Sequence, residues 1–205
     1  MSSATIMLPA ERPKMSEQHI HSGLRATRRQ GGISLIELAL VLAISAILLT
    51  IAAPAFTSML DSHRLSSATS ALHAHLYQAR SEAIKRNQRV RVSFATSEGG
   101  ANWCFGMGSD SACDCMEAGS CLLGGKERTV SSDAYPGVFI DPHISSPGDH
   151  FTFESVRWIM AGTYGHVRFA SAAGKQTRVI VSRMGRTRTC SPPGEMHVIG
   201  YTDTC

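Results

Sequence analysis

The fold is decided by the stretch "RRQGGISLIELALVLAISAILLTIAAPAF", which runs from Arg28 to Phe56. Glu37 is the only charged residue between Ile33 and Phe56. A helix needs about 20 apolar residues to cross about 30 Å of bilayer hydrocarbon, so this run predicts a membrane span. A charged side chain costs about 2.5–3.5 kcal/mol at the centre of such a helix, and one that is retained there usually has a function. Glu37 is therefore a candidate functional residue.

Basic residues before the span predict its orientation. Arg25, Arg28 and Arg29 precede it, so the positive-inside rule puts the N-terminus in the cytoplasm and the following domain on the other side. The segment before the span lacks helical periodicity, which is typical of a leader. The expected division is a leader at 1–32, a span at 33–56 and one exported domain at 57–205.

After Phe56 the pattern becomes amphipathic. Apolar residues recur at spacings of three and four, which places them on one stripe of a helix. The stripe consists of Leu65, Ala68, Leu72, Leu76, Ala79 and Ala83. Pro54 is the only helix breaker between Ile33 and Lys85, and a proline inside a helix kinks it without necessarily ending it. We expect one long, kinked helix.

A period of two replaces the helical period at Arg89, where Val90, Val92 and Phe94 alternate with polar residues. Further strands are predicted at 127–131, 137–141, 156–160, 164–171, 176–183 and 196–201. The turn "AAGKQ" between "HVRFAS" and "TRVIVS" predicts a hairpin. The predicted fold class is α+β, with a mostly antiparallel sheet packed on the apolar stripe of the helix.

All six cysteines lie in the expected exported domain, where an oxidising environment favours disulfides. Six cysteines allow 15 full pairings. We expect a Cys190–Cys205 bridge, which would close a loop of about fifteen residues and contribute about 3 kcal/mol. The pairing of the other four, in "CFGMGSDSACDCMEAGSC", stays open. Their spacing lacks the CxxC pairs of structural zinc sites, so neither a metal nor another cofactor is expected.

The segment "QGGISLIELAL" resembles the type III signal sequence of type IV pilins and pseudopilins. The resemblance implies that a prepilin peptidase cuts after Gly32 and leaves Ile33 as the new, usually N-methylated, terminus. It also implies that Glu37 and Pro54 hold the family's glutamate and helix-kinking proline. The expected partners are the inner membrane and other pilins or pseudopilins in a helical filament.

In that family the glutamate is thought to pair with the free N-terminal amine of a neighbouring subunit, which here would be Ile33 of the next copy. Opposite charges attract strongly in a low dielectric, and an unpaired carboxylate there would be costly. Glu37 would then set the register of assembly. The alternative is that Glu37 merely interacts favourably with the dipole at the helix N-terminus.

The exported domain resembles the GspH/FimT group of pilin-like proteins. The residues that carry this resemblance lie in "QARSEAIKRNQRVRV", "NWCFGM" and "SRMGRTRTC". Within the last, "GRTR" looks like the GRxR motif by which FimT-type minor pilins bind DNA during natural transformation. It comprises Gly185, Arg186 and Arg188. In an extended tail the two arginines would point the same way, and the glycine would let backbone approach closely.

The basic residues cluster although the overall charge is modest. The net charge is +4, and residues 33–205 carry only +1 of it. Yet between Ser155 and Gly194 there is no Asp or Glu, and the basic residues are Arg157, Arg168, Lys175, Arg178, Arg183, Arg186 and Arg188. Such a segment attracts phosphates, and phosphate contacts carry no sequence information. Sequence-independent DNA binding is the preferred interpretation, and a solvated basic turn is the alternative.

These features predict a protein that assembles and binds but does not catalyse. No G-x-S-x-G elbow or HExxH helix occurs, which argues against the alternative of a membrane-anchored enzyme. The preferred role is a minor type IV pilin that captures DNA, and the first alternative is a type II secretion pseudopilin of GspH type. Trp103 and Trp158 are candidates for stacking on bases, although packing in the core is favoured.

Overall fold

The computed structural model describes residues 32–145, 148–155 and 162–205. One helix, α1 (Leu35–Arg86), precedes all the strands of this part of the chain. The strands are β1 (Val90–Ser97), β2 (Asn102–Ser109), β3 (Leu122–Leu123), β4 (Lys126–Glu127), β5 (Thr129–Ser131), β6 (Val138–Ile144), β7 (His150–Phe153), β8 (Gly165–Ser171), β9 (Gln176–Val181) and β10 (Thr187–Cys190).

Helix α1 continues through Pro54, and the chain divides into two compact units at Ile44 and Ser45. The apolar residues near the start of the helix are exposed, as at Leu35 (86%) and Leu38 (53%). By length and composition alone, α1 is able to cross a membrane. Further along, the six stripe residues predicted from their spacing are all fully buried. The helix is apolar all round at one end and amphipathic at the other.

Two four-stranded antiparallel sheets contribute to one core with the stripe of α1. The first sheet has the order β5-β2-β1-β7, and the second has the order β10-β9-β8-β6. Alternate residues of most strands enter the core, as Phe105 does from β2 and Val179 does from β9. The residues between them form what we call the outer face of each sheet. The α+β class with antiparallel sheets is therefore confirmed.

The strands predicted at 137–141, 164–171 and 176–183 and the strand beginning near Arg89 are present, with small shifts at their ends. The hairpin of β8 and β9 is also confirmed. The prediction at 127–131 is resolved into two short strands, β4 and β5, separated at Arg128. The strand predicted at 156–160 lies outside the described residues, as does the leader up to Gly31.

The strand predicted at 196–201 is wrong. A 3-10 turn occupies Gly194–Met196, and the chain then runs without regular structure. Val198 is buried in the core, so its apolar character reflects the packing of a loop residue and not a strand. Four strands of the described residues were missed. They are β2, whose glycines and cysteine weaken a strand pattern, the short strands β3 and β7, and β10, which we had expected to be an extended tail.

Two disulfides fold residues 110–121 over the outer face of the first sheet. They are Cys104–Cys115 and Cys113–Cys121, with Cα–Cα distances of 5.8 and 5.1 Å. We call residues 110–121 the disulfide lobe. Gly106 of β2 lies directly beneath it, because a Cβ there would come within 2.5 Å of the Cys121 Sγ. The lobe therefore requires a residue without a side chain at this point of β2.

Candidate nucleic-acid interface

The "GRTR" motif begins in the turn of the β9–β10 hairpin. The Ser182 N–H donates to the Arg186 carbonyl (3.0 Å), which leaves a three-residue loop at 183–185. The last of these, Gly185, has φ +70°, and its N–H donates to the Ser182 carbonyl (2.9 Å). Three-residue hairpin loops usually end in a left-handed residue, which glycine adopts without steric cost. Gly185 is also buried, so the turn itself explains this glycine.

Arg186 directly precedes the edge strand β10 and Arg188 lies within it, and both side chains are exposed. They stand two residues apart in extended backbone, so they share a face. Among the described residues no carboxylate lies within 4.0 Å of either guanidinium. A groove of about 350 Å³ lies beside them, and Ile180, Ser182 and Asp203 complete its lining. Within the part of the chain that the structure describes, the hairpin thus presents two cations without ion-pair partners to solvent.

The C-terminal tail is fastened to the same strand. Cys190 and Cys205 form a disulfide, which is the pairing that we expected. Backbone hydrogen bonds join Ser191 N–H to the Asp203 carbonyl (3.1 Å) and Cys205 N–H to the Ser191 carbonyl (3.4 Å). The Ser191 hydroxyl also donates to the Gln176 carbonyl of β9 (2.8 Å). This network holds β10 against β9 and brings the Asp203 side chain to the groove.

Lys175 was predicted to bind DNA, but the structure gives its charge a partner within the protein. The residue lies in the β8–β9 turn, where its Nζ donates to the Ser62 hydroxyl (2.6 Å) and to the hydroxyl of Ser58 (3.1 Å). It also donates to the Ser58 carbonyl (3.4 Å). Lys175 therefore fastens the turn to α1 and lies half-buried there. Sequence alone did not indicate this contact, because the partners are more than a hundred residues away.

The other two predicted DNA-binding residues differ in exposure. Arg183 is exposed at the tip of the hairpin, with its guanidinium carbon 4.4 Å from the centre of the Tyr164 ring. Its Nη2 also donates to the Tyr164 hydroxyl (3.0 Å). Arg178 is half-buried on β9, and its Nε has no hydrogen-bond partner among the described residues. Arg183 is thus held by an aromatic ring, whereas Arg178 keeps an unsatisfied donor.

The segment without acids in sequence has acidic neighbours in space. Asp141 of β6 forms an ion pair with Arg168 of β8 and a contact of 2.9 Å with His143 Nε2. Burial raises the pKa of the Asp141 carboxyl, but the hydrogen bonds and charges of His143 and Arg168 outweigh burial and hold this pKa below its usual value. Arg168 is therefore partly neutralised, which the local sequence did not reveal.

The family model described as "Type II transport protein GspH" matches residues 68–185, more than half of the chain. This chain belongs to the GspH family. A second model, "Prokaryotic N-terminal methylation motif", matches residues 27–53. The resemblance drawn from the N-terminal segment and from residues 57–205 is confirmed. No curated protein matches the sequence.

Solved structures of minor pilins and pseudopilins are similar to this GspH-family chain. The type IV minor pilin FimU of Pseudomonas aeruginosa is 19% identical, with a TM-score of 0.43, and the match covers 64% of this chain and 90% of that one. The minor pseudopilin EpsH of the Vibrio cholerae type 2 secretion system is 12% identical, with a TM-score of 0.42, covering 64% and 99%.

The predicted processing and assembly residues lie at the start of the described GspH-family chain. Gly32 and Ile33 are exposed and precede the helix, whereas Glu37 lies in its first turn. A carboxylate in the first turn of a helix interacts favourably with the helix dipole, which is what the alternative for Glu37 requires. Pro54 lies inside the helix. The roles of these residues in cleavage and assembly stay predictions.

Trp103 packs in the core of the GspH-family domain and is fully buried. Its indole stacks on Phe105 and Tyr135, and its Nε1–H donates to the Val138 carbonyl (2.8 Å). It is therefore not available to bases, whereas Trp158 and Arg157 lie outside the described residues. All the cysteines are in disulfides, so the zinc alternative has no free thiolate. The described residues include no cluster of metal-binding side chains.

Proposed function

We propose that this chain is a minor subunit of a type IV pilus that binds DNA without sequence preference, through Arg186 and Arg188. The observation that supports the proposal is the placement of two exposed guanidinium groups at the start of one edge strand, neither with an ion-pair partner among the described residues. Gly185 sets the turn that precedes them, and the Cys190–Cys205 bridge anchors the strand that follows. Because guanidinium binds phosphate oxygens through a planar fork of donors, two such groups suit a nucleic-acid backbone.

The test is DNA binding by the full-length protein in detergent, measured by fluorescence anisotropy with a labelled duplex of mixed sequence. Arg186→Ala with Arg188→Ala should reduce the slope of log K against log salt by up to about two units, since each lost phosphate contact removes about 0.9. The matched control is Lys85→Ala with Lys126→Ala, which removes two exposed charges elsewhere. If both double variants change the binding equally, the two arginines have no special role.

We also propose that prepilin peptidase cleaves after Gly32 and that the span at 33–56 anchors the subunit in the inner membrane. The domain from residue 57 onward then lies outside the cytoplasm until the subunit enters a filament. There the carboxylate of Glu37 pairs with the freed amine of Ile33 of an adjacent subunit. Mass spectrometry of protein purified from native membranes should find an N-terminus at Ile33. A chain that still carries the leader would refute the processing.

The second candidate function is that of a structural pseudopilin in a type II secretion system. The description of the matching family, a type II transport protein, favours it. A strain lacking this gene separates the two candidates. Loss of DNA uptake with normal protein export supports the pilus role, whereas export substrates that accumulate in the periplasm support the pseudopilin. In the second case Arg186→Ala with Arg188→Ala should leave export unchanged.

A further inference from the structure

The outer face of the second sheet carries basic side chains from all four strands. Strand register places Arg188 of β10 opposite Ile180 of β9, Ile180 opposite His166 of β8, and His166 opposite His143 of β6. Directly opposed residues in antiparallel strands project to the same face. These four residues therefore form one row across the sheet, which we call the basic row.

The neighbouring row continues the basic surface. It consists of Cys190, Arg178, Arg168 and Asp141 in the same strand order. The cysteine is buried in its bridge to the tail, and the acid is shared between Arg168 and His143. Arg178 retains an Nε without a partner among the described residues. The two rows thus hold more positive than negative charge, and the acid stands at the far edge.

The charged groups around His166 are mostly positive. Burial lowers the pKa of His166, and the charges of His143 and Arg178 lower it further. Asp141 acts in the opposite direction without reversing the shift. The rings of His143 and His166 are stacked with their centres 4.9 Å apart. The positive charge of the two rows therefore comes mainly from Arg188, Arg178 and Arg168, on three successive strands from the hairpin towards β6.

We infer that a DNA backbone crosses the outer face of the second sheet along the basic row, from Arg188 to His143, so that β8 and β6 contribute to binding together with the hairpin. The inference rests on the proposed function. Four strands about 4.8 Å apart span about 14 Å. DNA carries one phosphate per about 3.4 Å of axis on each strand, so the row faces about four phosphates. Acidic groups bound the path at two points, at Asp141 beside His143 and at Asp203 beside the arginines.

Placing a new charge within the basic row tests this path. The variants are Ile180→Lys and Ile180→Glu, at the half-buried position between Arg188 and His166, and His143→Lys and His143→Gln at the far edge. The control pair is Leu122→Lys and Leu122→Glu, at an exposed position of the small β3–β4 sheet. Each pair removes the same side chain, so the difference within a pair reports the charge. Binding of the same labelled duplex to the full chain is measured from about 50 to about 200 mM salt.

One added phosphate contact should increase affinity about fivefold near physiological salt and steepen the salt slope by about 0.9. We expect this for Ile180→Lys and for His143→Lys, with Ile180→Glu weaker than the parent and His143→Gln unchanged. The DNA affinities of the two Leu122 variants should differ from each other by less than twofold. An effect of His143→Lys no larger than that of Leu122→Lys would restrict DNA to the hairpin and overturn the inference. Loss of binding on replacement of Arg186 and Arg188 would still support the proposed function in that case.

Discussion

The two four-stranded sheets share one core, but their outer faces differ. The outer face of the first sheet is covered by the disulfide lobe, which packs Cys121 against Gly106 and joins Cys115 to Cys104. The outer face of the second sheet is not closed in this way, and it exposes arginines such as Arg188. The difference shows that one small domain can cover one sheet with a disulfide-linked segment and leave basic side chains exposed on the other.

The sequences of the two faces reflect this difference. Positions beneath the lobe are small, because Gly106 and Gly108 leave room for sulfur atoms and for the backbone at Ser111. Corresponding positions on β8 and β9 hold long basic side chains, such as Arg168 and Arg178. A covered face needs small residues to admit the cover, whereas an open face tolerates long charged side chains whose ends reach solvent.

The largest expected effect comes from breaking the two disulfides of the disulfide lobe. Replacing Cys104, Cys113, Cys115 and Cys121 by alanine removes both lobe bridges and should lower the free energy of unfolding by about 4 kcal/mol, since each bridge typically contributes about 2–4 kcal/mol. Guanidinium denaturation of the protein in detergent measures the change. At a salt concentration where the variant is folded, its DNA affinity should stay within twofold of the parent. A large loss of affinity would show that the covered face takes part in binding.

Acidic pH should lower the free energy of unfolding through a buried histidine that packs against the first sheet. His75 of α1 is buried against Phe105, and burial, followed by the charge of Arg128, lowers its pKa from 6.5 to about 4. The folded protein therefore binds this proton less readily than the unfolded chain does. The stability associated with neutral His75 is fully present above pH 6.5 and is lost as the pH falls towards about 4. Between pH 7.5 and 5 we expect a loss of about 2 kcal/mol from this group.

The control for acid weakening is His75→Phe, which keeps a ring against Phe105 without a titratable group. Denaturant unfolding at several pH values should show a shallower pH dependence for this variant than for the parent. Equal pH dependence in the two proteins would mean that other groups cause the acid effect.

A smaller effect is expected at the turn of the hairpin. Gly185→Ala places a side chain at φ +70°, which should cost about 1 kcal/mol of stability because a Cβ is strained in the left-handed region. We also expect weaker DNA binding, since the turn sets the position of Arg186. Gly174→Ala is the matched control, because its φ is +82° and a Cβ there has open space. Both variants should lose stability, but only the Gly185 variant should lose affinity.

The smallest expected effect is an increase in affinity. Asp203→Asn removes the carboxylate that lines the groove with Arg186 and Arg188, and the backbone carbonyl that binds Ser191 remains. We expect DNA to bind about threefold more tightly, because a negative charge no longer competes with phosphate for the arginines. Glu195→Gln, at an exposed acid of the same tail, is the control. An equal gain of DNA affinity in both variants would mean that the change in net charge, and not the position of Asp203, causes the effect.

Much of the fold was predictable because its signals are local and periodic. The helix stripe follows from apolar residues at spacings of three and four, the strand near Arg89 from alternation, and the β8–β9 hairpin from its turn sequence. Strand β2 was missed because Gly106 and Gly108 serve the disulfide lobe and interrupt the usual strand composition. The strand predicted at 196–201 was wrong because a single core residue, Val198, gave a loop the appearance of a strand.

The sequence by itself determined the apolar helix, the α+β class and the spacing of the two arginines, two residues apart, in the motif "GRTR". Tertiary structure alone decided which charges remain available. It docked Lys175 on Ser58 and Ser62, paired Arg168 with Asp141, and brought Asp203 beside the motif. The physical reason is that electrostatic interactions depend on distance in space. Strand register and disulfide closure set those distances, and neither can be read from spacing along the chain.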